Sequence, residues 1–242
     1  MLNKKQTNNR ILIFAAHPDD EVLGCGGAIA YHRSIGDPVS VCYLSEGVSS
    51  RFDEKKFSDL SSWKKDMISR ENMAKNAASI LNFEILEFMR LPNLRTQNLS
   101  KLEMIKKIIN LVQSYRPDIV YLNFPGDLNT DHSLTFELVY TALRPSQHHQ
   151  VKNILCYEVL SSTEWAANIS VPKFYPDTFI DISKTFQLKM KSINAYQFEM
   201  RAPPHPRSSD AIKSLAILRG SQIGVFMAES FVTIRNIINL GN

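Results

Sequence analysis

The feature that most constrains this chain is an apolar run over residues 11–16 that is followed at once by charged side chains. The run is rich in isoleucine and has the length of a strand buried on both faces, which is typical of parallel sheets. One histidine and three carboxylates lie within residues 17–21, and Pro18 prevents a helix there. Because ligands bind at the carboxyl ends of parallel strands, this cluster predicts a divalent-metal site, with a solvent-exposed acidic turn as the alternative.

Length and composition favour one globular α/β domain. The chain has 242 residues, of which 44% are hydrophobic and 21% charged, enough for one sizeable core. We expect a single domain over residues 1–242, with residues 1–9 as a flexible tail. The start of the chain is polar and basic, and the apolar run behind it is shorter than a signal-peptide core or a membrane span needs. A cytoplasmic location without a transmembrane segment is therefore expected.

The positions of the cysteines and glycines argue against two further classes of protein, those with a paired-cysteine zinc site and those with a dinucleotide-binding loop. Cys25, Cys42 and Cys156 are widely spaced, lie in or beside apolar segments and form no paired-cysteine zinc pattern, so we expect reduced, structural thiols. The glycines at positions 24, 26 and 27 lack the spacing of a dinucleotide-binding loop, and the acidic cluster ahead of them would repel a pyrophosphate. A nucleotide-binding fold is thus the less favoured interpretation.

Alternating apolar patterns predict an α/β fold that is Rossmann-like, with a mostly parallel sheet and helices on both faces. Residues 83–88 alternate with period two and should form a strand at or near an edge, after a left-handed cap at Asn82. The predicted strands are residues 11–16, 39–44, 83–88, 119–122 and 151–159. The predicted helices are residues 22–32, 63–81, 99–115, 133–143 and 182–200, with a long polar loop over residues 45–62.

A second polar cluster, residues 123–132, also follows a predicted strand. It ends at His132, at the start of a helix, with Asp131 beside it as a candidate orienting partner. His132 could complete a metal site with His17 and one of the aspartates. Taken alone, a histidine at a helix terminus is more often a cap or a surface group. Two such clusters at the ends of two parallel strands favour the metal site.

The motif of residues 16–21, with the later segment 127–132, resembles the LmbE-like (PIG-L) N-acetylglucosamine deacetylases, and the later stretch is similar to members from bacterial surface-polysaccharide pathways. The resemblance covers most of the chain. It implies a zinc ion (Zn²⁺) bound by His17, Asp20 and His132, with Asp19 as the general base. The implied reaction removes an N-acetyl group from an N-acetylglucosamine-type sugar or glycoconjugate, releasing acetate and a free amine.

The chain departs from this family at Asn129, where members commonly have a histidine three residues before the last zinc ligand. Asparagine can donate a hydrogen bond to an oxyanion but cannot carry a proton. His205, in a loop stiffened by three prolines, is our candidate for the missing acid, and a spare surface histidine is the alternative. Asp19 returning its proton would serve equally.

Candidate substrate-binding residues are Asn129, Arg70, Arg207 and Trp165, the last as part of a sugar-binding rim or, alternatively, as a buried core residue. Residues 181–219 hold seven Lys or Arg against three Asp or Glu. The lysines (Lys184, Lys189, Lys191 and Lys213) are as consistent with solvent-exposed helix faces as with a role in binding an anionic substrate. Arg201 and Arg207 flank His205, and a planar guanidinium can grip phosphate with two hydrogen bonds. An anionic N-acetylated sugar is therefore expected.

The same residues are also compatible with other functions. One alternative is a metal-dependent phosphoesterase or other hydrolase, and another is a non-catalytic Rossmann-like module that binds a sugar or nucleotide. The expected partner is a small-molecule or lipid-linked amino sugar, with no nucleic acid, and a homo-oligomer is left open.

Overall fold

Strands and helices alternate along most of the chain, as the apolar patterns predict. The computed structural model describes residues 8–59, 61–95, 99–145, 150–167 and 172–238. Its strands are β1 (Ile11–Ala15), β2 (Val39–Ser45), β3 (Glu84–Leu91), β4 (Ile119–Asn123), β5 (Asn153–Tyr157), β6 (Thr178–Asp181) and β7 (Ala228–Asn236). Its α-helices are α1 (Asp20–Ser34), α2 (Glu54–Phe57), α3 (Ser61–Leu81), α4 (Lys101–Tyr115), α5 (Thr130–Ala142), α6 (Phe186–Ile193) and α7 (Ser209–Ser221).

The described strands form one seven-stranded sheet in the order β3-β2-β1-β4-β5-β7-β6. The strands from β3 to β5 are parallel, and β7 runs antiparallel to both of its neighbours. Ile11 of β1 lies beside Val39 of β2 and Ile119 of β4. The strand order reverses between β1 and β4, so a crevice opens beyond their carboxyl ends, where ligands bind in open α/β sheets.

Helices cover both faces of the sheet, which confirms the predicted layering. On one face, Ile11 and Ile13 of β1 belong to a core that includes residues of α1, α3, α6 and α7. On the other face, Leu12 and Phe14 pack into a core with residues of α4 and α5. Every residue of β1 is buried. The strand that carries the first polar cluster is therefore held on all sides.

Several local predictions are confirmed. The strand β3 is at an edge of the sheet, and Asn82 before it has a positive φ of 56°. The three cysteines are free and buried, and burial raises the pKa of each thiol. These thiols are poor nucleophiles, in accordance with a structural role.

The C-terminal third differs from the prediction. The helix expected over residues 182–200 begins only at Phe186, because the Ile182 N–H donates to Met227 O and continues the β6–β7 ladder. After α6 ends at Ile193, one 3₁₀ turn (Asn194–Tyr196) follows. The antiparallel pair β6 and β7 was not predicted. The polar loop over residues 45–62 contains a 3₁₀ turn (Ser49–Arg51), α2 and the start of α3.

Two further expectations concern the start of the chain and membranes. Asn8 donates to Gly36 O at 2.9 Å and the Asn9 N–H to Asp37 Oδ1 at 2.9 Å, so this end of the expected tail is attached to the domain. Residues 1–7 of that tail lie outside the described residues. Within the described ranges, no helix combines the length and apolar character that a membrane crossing requires.

Candidate metal centre

Three of the predicted residues converge in the crevice beyond β1 and β4. His17 follows β1, Asp20 begins α1, and His132 lies in the first turn of α5. Each offers one ligand atom, and these atoms all lie within 4.8 Å of one another. Asp20 Oδ2 is 3.5 Å from His17 Nδ1 and 3.2 Å from His132 Nε2. The expectation that the two polar clusters meet at neighbouring strand ends is confirmed.

Each of these histidines has a carboxylate at its other ring nitrogen. His17 Nε2 is 3.0 Å from Asp131 Oδ2, and His132 Nδ1 is in close ion-pair contact with Asp127 Oδ2, also at 3.0 Å. The sequence suggested Asp131 as the partner of His132, but the structure places it against His17. Consecutive residues of a helix point in different directions, so Asp131 cannot face its own neighbour, and the preceding loop supplies Asp127 instead.

The carboxylates around the two histidines favour positive charge on the imidazole rings. Burial disfavours charge on His17, yet hydrogen bonds with Asp131 and Asp20 outweigh it and raise the pKa of His17. Burial opposes charge on His132 as well, but Asp20 and Asp127 raise its pKa to about 10. The two histidines in turn overcome the effect of burial on Asp20 and hold the pKa of that carboxyl well below its usual value.

The donor set and one unpartnered atom fit a catalytic zinc ion. Asp20 Oδ1 is buried and has no hydrogen-bond partner among the described residues, although unpaired buried carboxylate oxygens are costly. Its other oxygen accepts from Asn123 Nδ2 at 3.1 Å, and Asn123 Oδ1 accepts from the Ala16 N–H, which ties the strand ends together. Two imidazole nitrogens and one carboxylate, each oriented by further groups, are ligands typical of an open zinc site.

Asp19 lies beside these three residues but makes a different set of contacts. Its backbone has φ 130°, a conformation that residues other than glycine rarely adopt. Its N–H donates to Glu21 Oε2 at 3.0 Å. Glu21 also accepts from the Tyr196 O–H, and burial raises the pKa of Glu21 to about 7. Tyr196 is buried. Asp19 Oδ1 is buried and unpartnered among the described residues.

Two arginines hold the other oxygen of Asp19. Arg70 Nη2 lies 3.0 Å and Arg207 Nη1 2.8 Å from Asp19 Oδ2. Both arginines also approach Glu199, Arg70 at 2.6 Å and Arg207 at 3.7 Å, and Arg51 reaches Glu199 at 2.8 Å. The predicted substrate-binding arginines are thus paired with protein carboxylates. Sequence reasoning assigned no role to Glu199, since nothing near it in the chain indicates partners more than a hundred residues away.

The other candidate site residues, His205, Trp165 and Asn129, lie outside this group of arginines and carboxylates. The Arg207 N–H donates to His205 Nδ1 at 3.0 Å, and the His205 ring lies edge-on to Trp165 with centroids 5.7 Å apart. Trp165 is 50% exposed, so it is not a buried core residue. Asn129 caps α5 by accepting from the Asp131 N–H through its side-chain oxygen, which leaves its amide N–H₂ group to donate.

The basic segment is less uniform than its sequence suggested. Lys191 and Lys213 are exposed on helices, as expected for solvent-exposed faces. Lys184 is exposed but precedes α6. Lys189 is buried, and its Nζ binds Glu229 Oε1 at 2.5 Å and Leu23 O at 2.7 Å. The idea of a solvent-exposed face is therefore wrong for Lys189, because its neighbouring segments supply a buried carboxylate and a carbonyl.

Comparisons with known proteins agree with this architecture. A family model described as PIG-L, GlcNAc-PI de-N-acetylase, matches residues 12–143. The conserved protein TT1542 from Thermus thermophilus is similar, with a TM-score of 0.73, 21% identity and coverage of 96% of this chain and 97% of that chain. N,N'-diacetylchitobiose deacetylase from Pyrococcus horikoshii has a TM-score of 0.72 at 20% identity, with coverage of 96% and 86%.

A structure with a different printed activity also shares the fold. GalB, the 4-carboxy-2-hydroxymuconate hydratase from Pseudomonas putida KT2440, has a TM-score of 0.73 at 22% identity, with coverage of 97% of this chain and 99% of that chain. Similarity at this level concerns the fold, and one fold can host different reactions. The family match spans more than half of the chain, from β1 through α5, and includes all three converging side chains. This chain belongs to the PIG-L (LmbE-like) family of sugar deacetylases.

Proposed function

We propose that this protein is a zinc-dependent N-deacetylase that removes the acetyl group from an N-acetylglucosamine-type sugar or glycoconjugate. The observation that carries the proposal is the convergence of His17, Asp20 and His132 beside Asp19, whose Oδ1 is buried and unpartnered among the described residues. Membership of the PIG-L family supports the same reaction.

The three converging residues would hold the metal. When bound there, zinc would polarise the amide carbonyl and lower the pKa of a coordinated water toward about 7. The carboxylates Asp127 and Asp131 fix the ring orientations of the two histidines, so that His17 Nδ1 and His132 Nε2 face Asp20.

Asp19 is the proposed general base. Arg70 and Arg207 bind its Oδ2, which holds the carboxylate in place and leaves Oδ1 to accept the proton of the attacking water. The amide N–H₂ group of Asn129 is the proposed donor to the oxyanion that develops on the acetyl carbonyl. Asn129 is held at the start of α5 by its capping hydrogen bond, which limits its freedom.

The leaving amine needs a proton, and His205 is the proposed donor. The Arg207 N–H donates to His205 Nδ1, so a neutral ring carries its proton on Nε2. Because a neutral imidazole is too weak an acid to protonate the amine, this role requires the imidazolium, in which Nδ1 gives up its contact with the Arg207 N–H and Nε2 donates the proton. Arg207 connects this loop to the base through its side chain. Asp19 returning the proton that it has taken is the competing route.

The substrate proposed here is anionic, with the amino sugar linked to a nucleotide or a lipid phosphate. Arg201 is exposed beside the His205 loop, whereas Arg207 would have to share its guanidinium with Asp19 and Ser161. The specificity constant for a nucleotide-linked N-acetylhexosamine should exceed that for the free sugar at low salt, and this advantage should shrink at high salt because exposed charges are screened. Equal specificity constants for the two sugars would refute the proposal of an anionic substrate but not the proposal of a deacetylase.

Trp165 is exposed and in contact with His205, and its proposed role is to form part of the rim of the site and to pack against the sugar ring. We also propose a cytoplasmic location, which the three buried free thiols support. A role in surface-polysaccharide biosynthesis is consistent with an amino-sugar substrate.

The deciding experiment incubates purified protein with a panel of N-acetylated sugars and measures acetate and free amine together. We expect about one zinc per chain, and equimolar acetate and amine that are lost on chelation and regained on adding zinc. Phosphate release from phosphorylated sugars would indicate a phosphoesterase. Hydration of an unsaturated acid without acetate release would indicate the chemistry of the hydratase neighbour. Sugar binding by a zinc-free protein without turnover would indicate a binding module.

A further inference from the structure

The loop that follows β5 contacts the metal centre from a third strand end. In this loop Ser162 is buried, and its hydroxyl donates to Asp127 Oδ1. Thr163 Oγ1 donates to Asp127 Oδ2 at 2.7 Å. The two hydroxyls therefore grip both oxygens of one carboxylate.

Asp127 is the carboxylate that lies against His132 Nδ1. Its Oδ2 is shared between Thr163 and the imidazole, while its Oδ1 also accepts the Asn129 N–H at 2.9 Å. Rotation of the Asp127 carboxylate would break these contacts together. The imidazole of His132 thus takes its orientation from Asp127, and Asp127 takes its orientation from the loop after β5.

The loop itself is firmly placed. Thr163 Oγ1 accepts the Val159 N–H at 2.8 Å, and the Ser162 carbonyl accepts the Leu128 N–H. Its neighbour Ser161 accepts from Arg207 Nε at 2.8 Å. One short segment therefore connects the carboxylate behind His132 with the arginine that binds Asp19.

We propose that Ser162 and Thr163 are positioning residues that set the affinity of the His17–Asp20–His132 site for zinc through Asp127. This inference rests on the proposed function for the identity of the metal. Residues that orient the ligands of a metal ion commonly change its affinity by roughly 10- to 100-fold when they are replaced. Removal of one hydroxyl leaves the other in place, so each single substitution should act at the lower end of that range.

The test measures zinc affinity by competition with a chromophoric chelator and the visible spectrum of the Co²⁺-substituted protein. Thr163→Val, which keeps the shape of the side chain, should raise the dissociation constant for zinc by about tenfold and shift the Co²⁺ bands. Thr163→Ser, which keeps a hydroxyl, should restore most of the affinity. Thr130→Val, a matched change at an exposed position at the start of α5, should leave both readouts unchanged.

Ser162→Ala provides a second, independent variant, and far-UV circular dichroism of the metal-free proteins checks that each is folded. If Thr163→Val is unfolded, Ser162→Ala decides the matter, because it also removes a hydroxyl that binds Asp127. Wild-type affinity and an unchanged Co²⁺ spectrum in folded Thr163→Val and Ser162→Ala would overturn the inference. Failure of the wild-type protein to bind zinc would instead overturn the proposed zinc-dependent function. A zinc-binding protein without deacetylase activity would leave the inference standing and remove only the proposed reaction.

Discussion

Replacement of Glu199 by glutamine should destabilise the fold far more than the same change at a surface ion pair. Glu199 lies 2.6 Å from Arg70, and their side chains are only 9% and 5% exposed. Without the charge of Glu199, Arg51 would lose this ion pair. Arg70 and Arg207 would keep their contacts with the carboxylate of Asp19. Removing one partner of a fully buried ion pair costs about 3–5 kcal/mol, because the other charge is left uncompensated.

The expected cost here is at the lower end of that range. Arg70 keeps its contact with Asp19 at 3.0 Å and its bond to Pro18 O, and the glutamine oxygen can still accept a hydrogen bond. Arg51 is half exposed, so losing its pair adds only about 0.5 kcal/mol. Together these terms give about 3.5 kcal/mol, which corresponds to a fall in Tm of about 10 °C for a chain of this size.

Glu137→Gln is the matched control. Its pair with Lys101 is almost as short, 2.7 Å, but the two side chains are 53% and 56% exposed, so the loss should stay below about 0.5 kcal/mol. Both variants would be compared with the wild type by equilibrium urea unfolding of metal-free protein, followed by far-UV circular dichroism. Equal losses of unfolding free energy in the two variants would refute the reasoning, because burial would then not determine the strength of these pairs.

Three further predictions concern the site and the buried histidine outside it. Asp19→Asn should retain zinc but lose at least about a hundredfold in turnover, whereas His132→Ala should lose the metal too; an Asp19→Asn protein without zinc would contradict this division of roles. His205→Ala should lower turnover by about a hundredfold or more with zinc retained, and should move the basic limb of the pH–rate profile; unchanged turnover would assign proton donation to Asp19. Burial lowers the pKa of His32 more than Asp37 raises it, so the unfolded chain takes up a proton that the folded protein resists. Unfolding free energies should therefore fall faster for the wild type than for His32→Gln as the pH drops below about 6.5, and parallel curves would show that His32 does not contribute.

Much of the fold and the centre of the site could be predicted from short stretches of sequence. An apolar run followed by His17, Asp19 and Asp20 indicates a buried strand with charge at its end, because burial and backbone geometry act over a few residues. The same pattern before His132 indicates a second strand end. Parallel strands bring such ends to one edge of the sheet, so the metal site could be expected before its geometry was known.

Other features needed the tertiary structure. Which carboxylate faces which histidine depends on the direction of side chains at the start of α5, and the adjacent Asp131 proved to be the partner of the distant His17. Glu199 meets Arg70 across 129 positions of the chain, and Ser162 meets Asp127 across 35. Contacts of this kind have no local pattern, because they arise only when packing has placed separate elements side by side. Local sequence therefore determined the parallel strands, most helices and the placing of His17, Asp20 and His132 at strand ends, whereas the carboxylates that orient the histidines and the antiparallel edge of the sheet were decided by long-range packing.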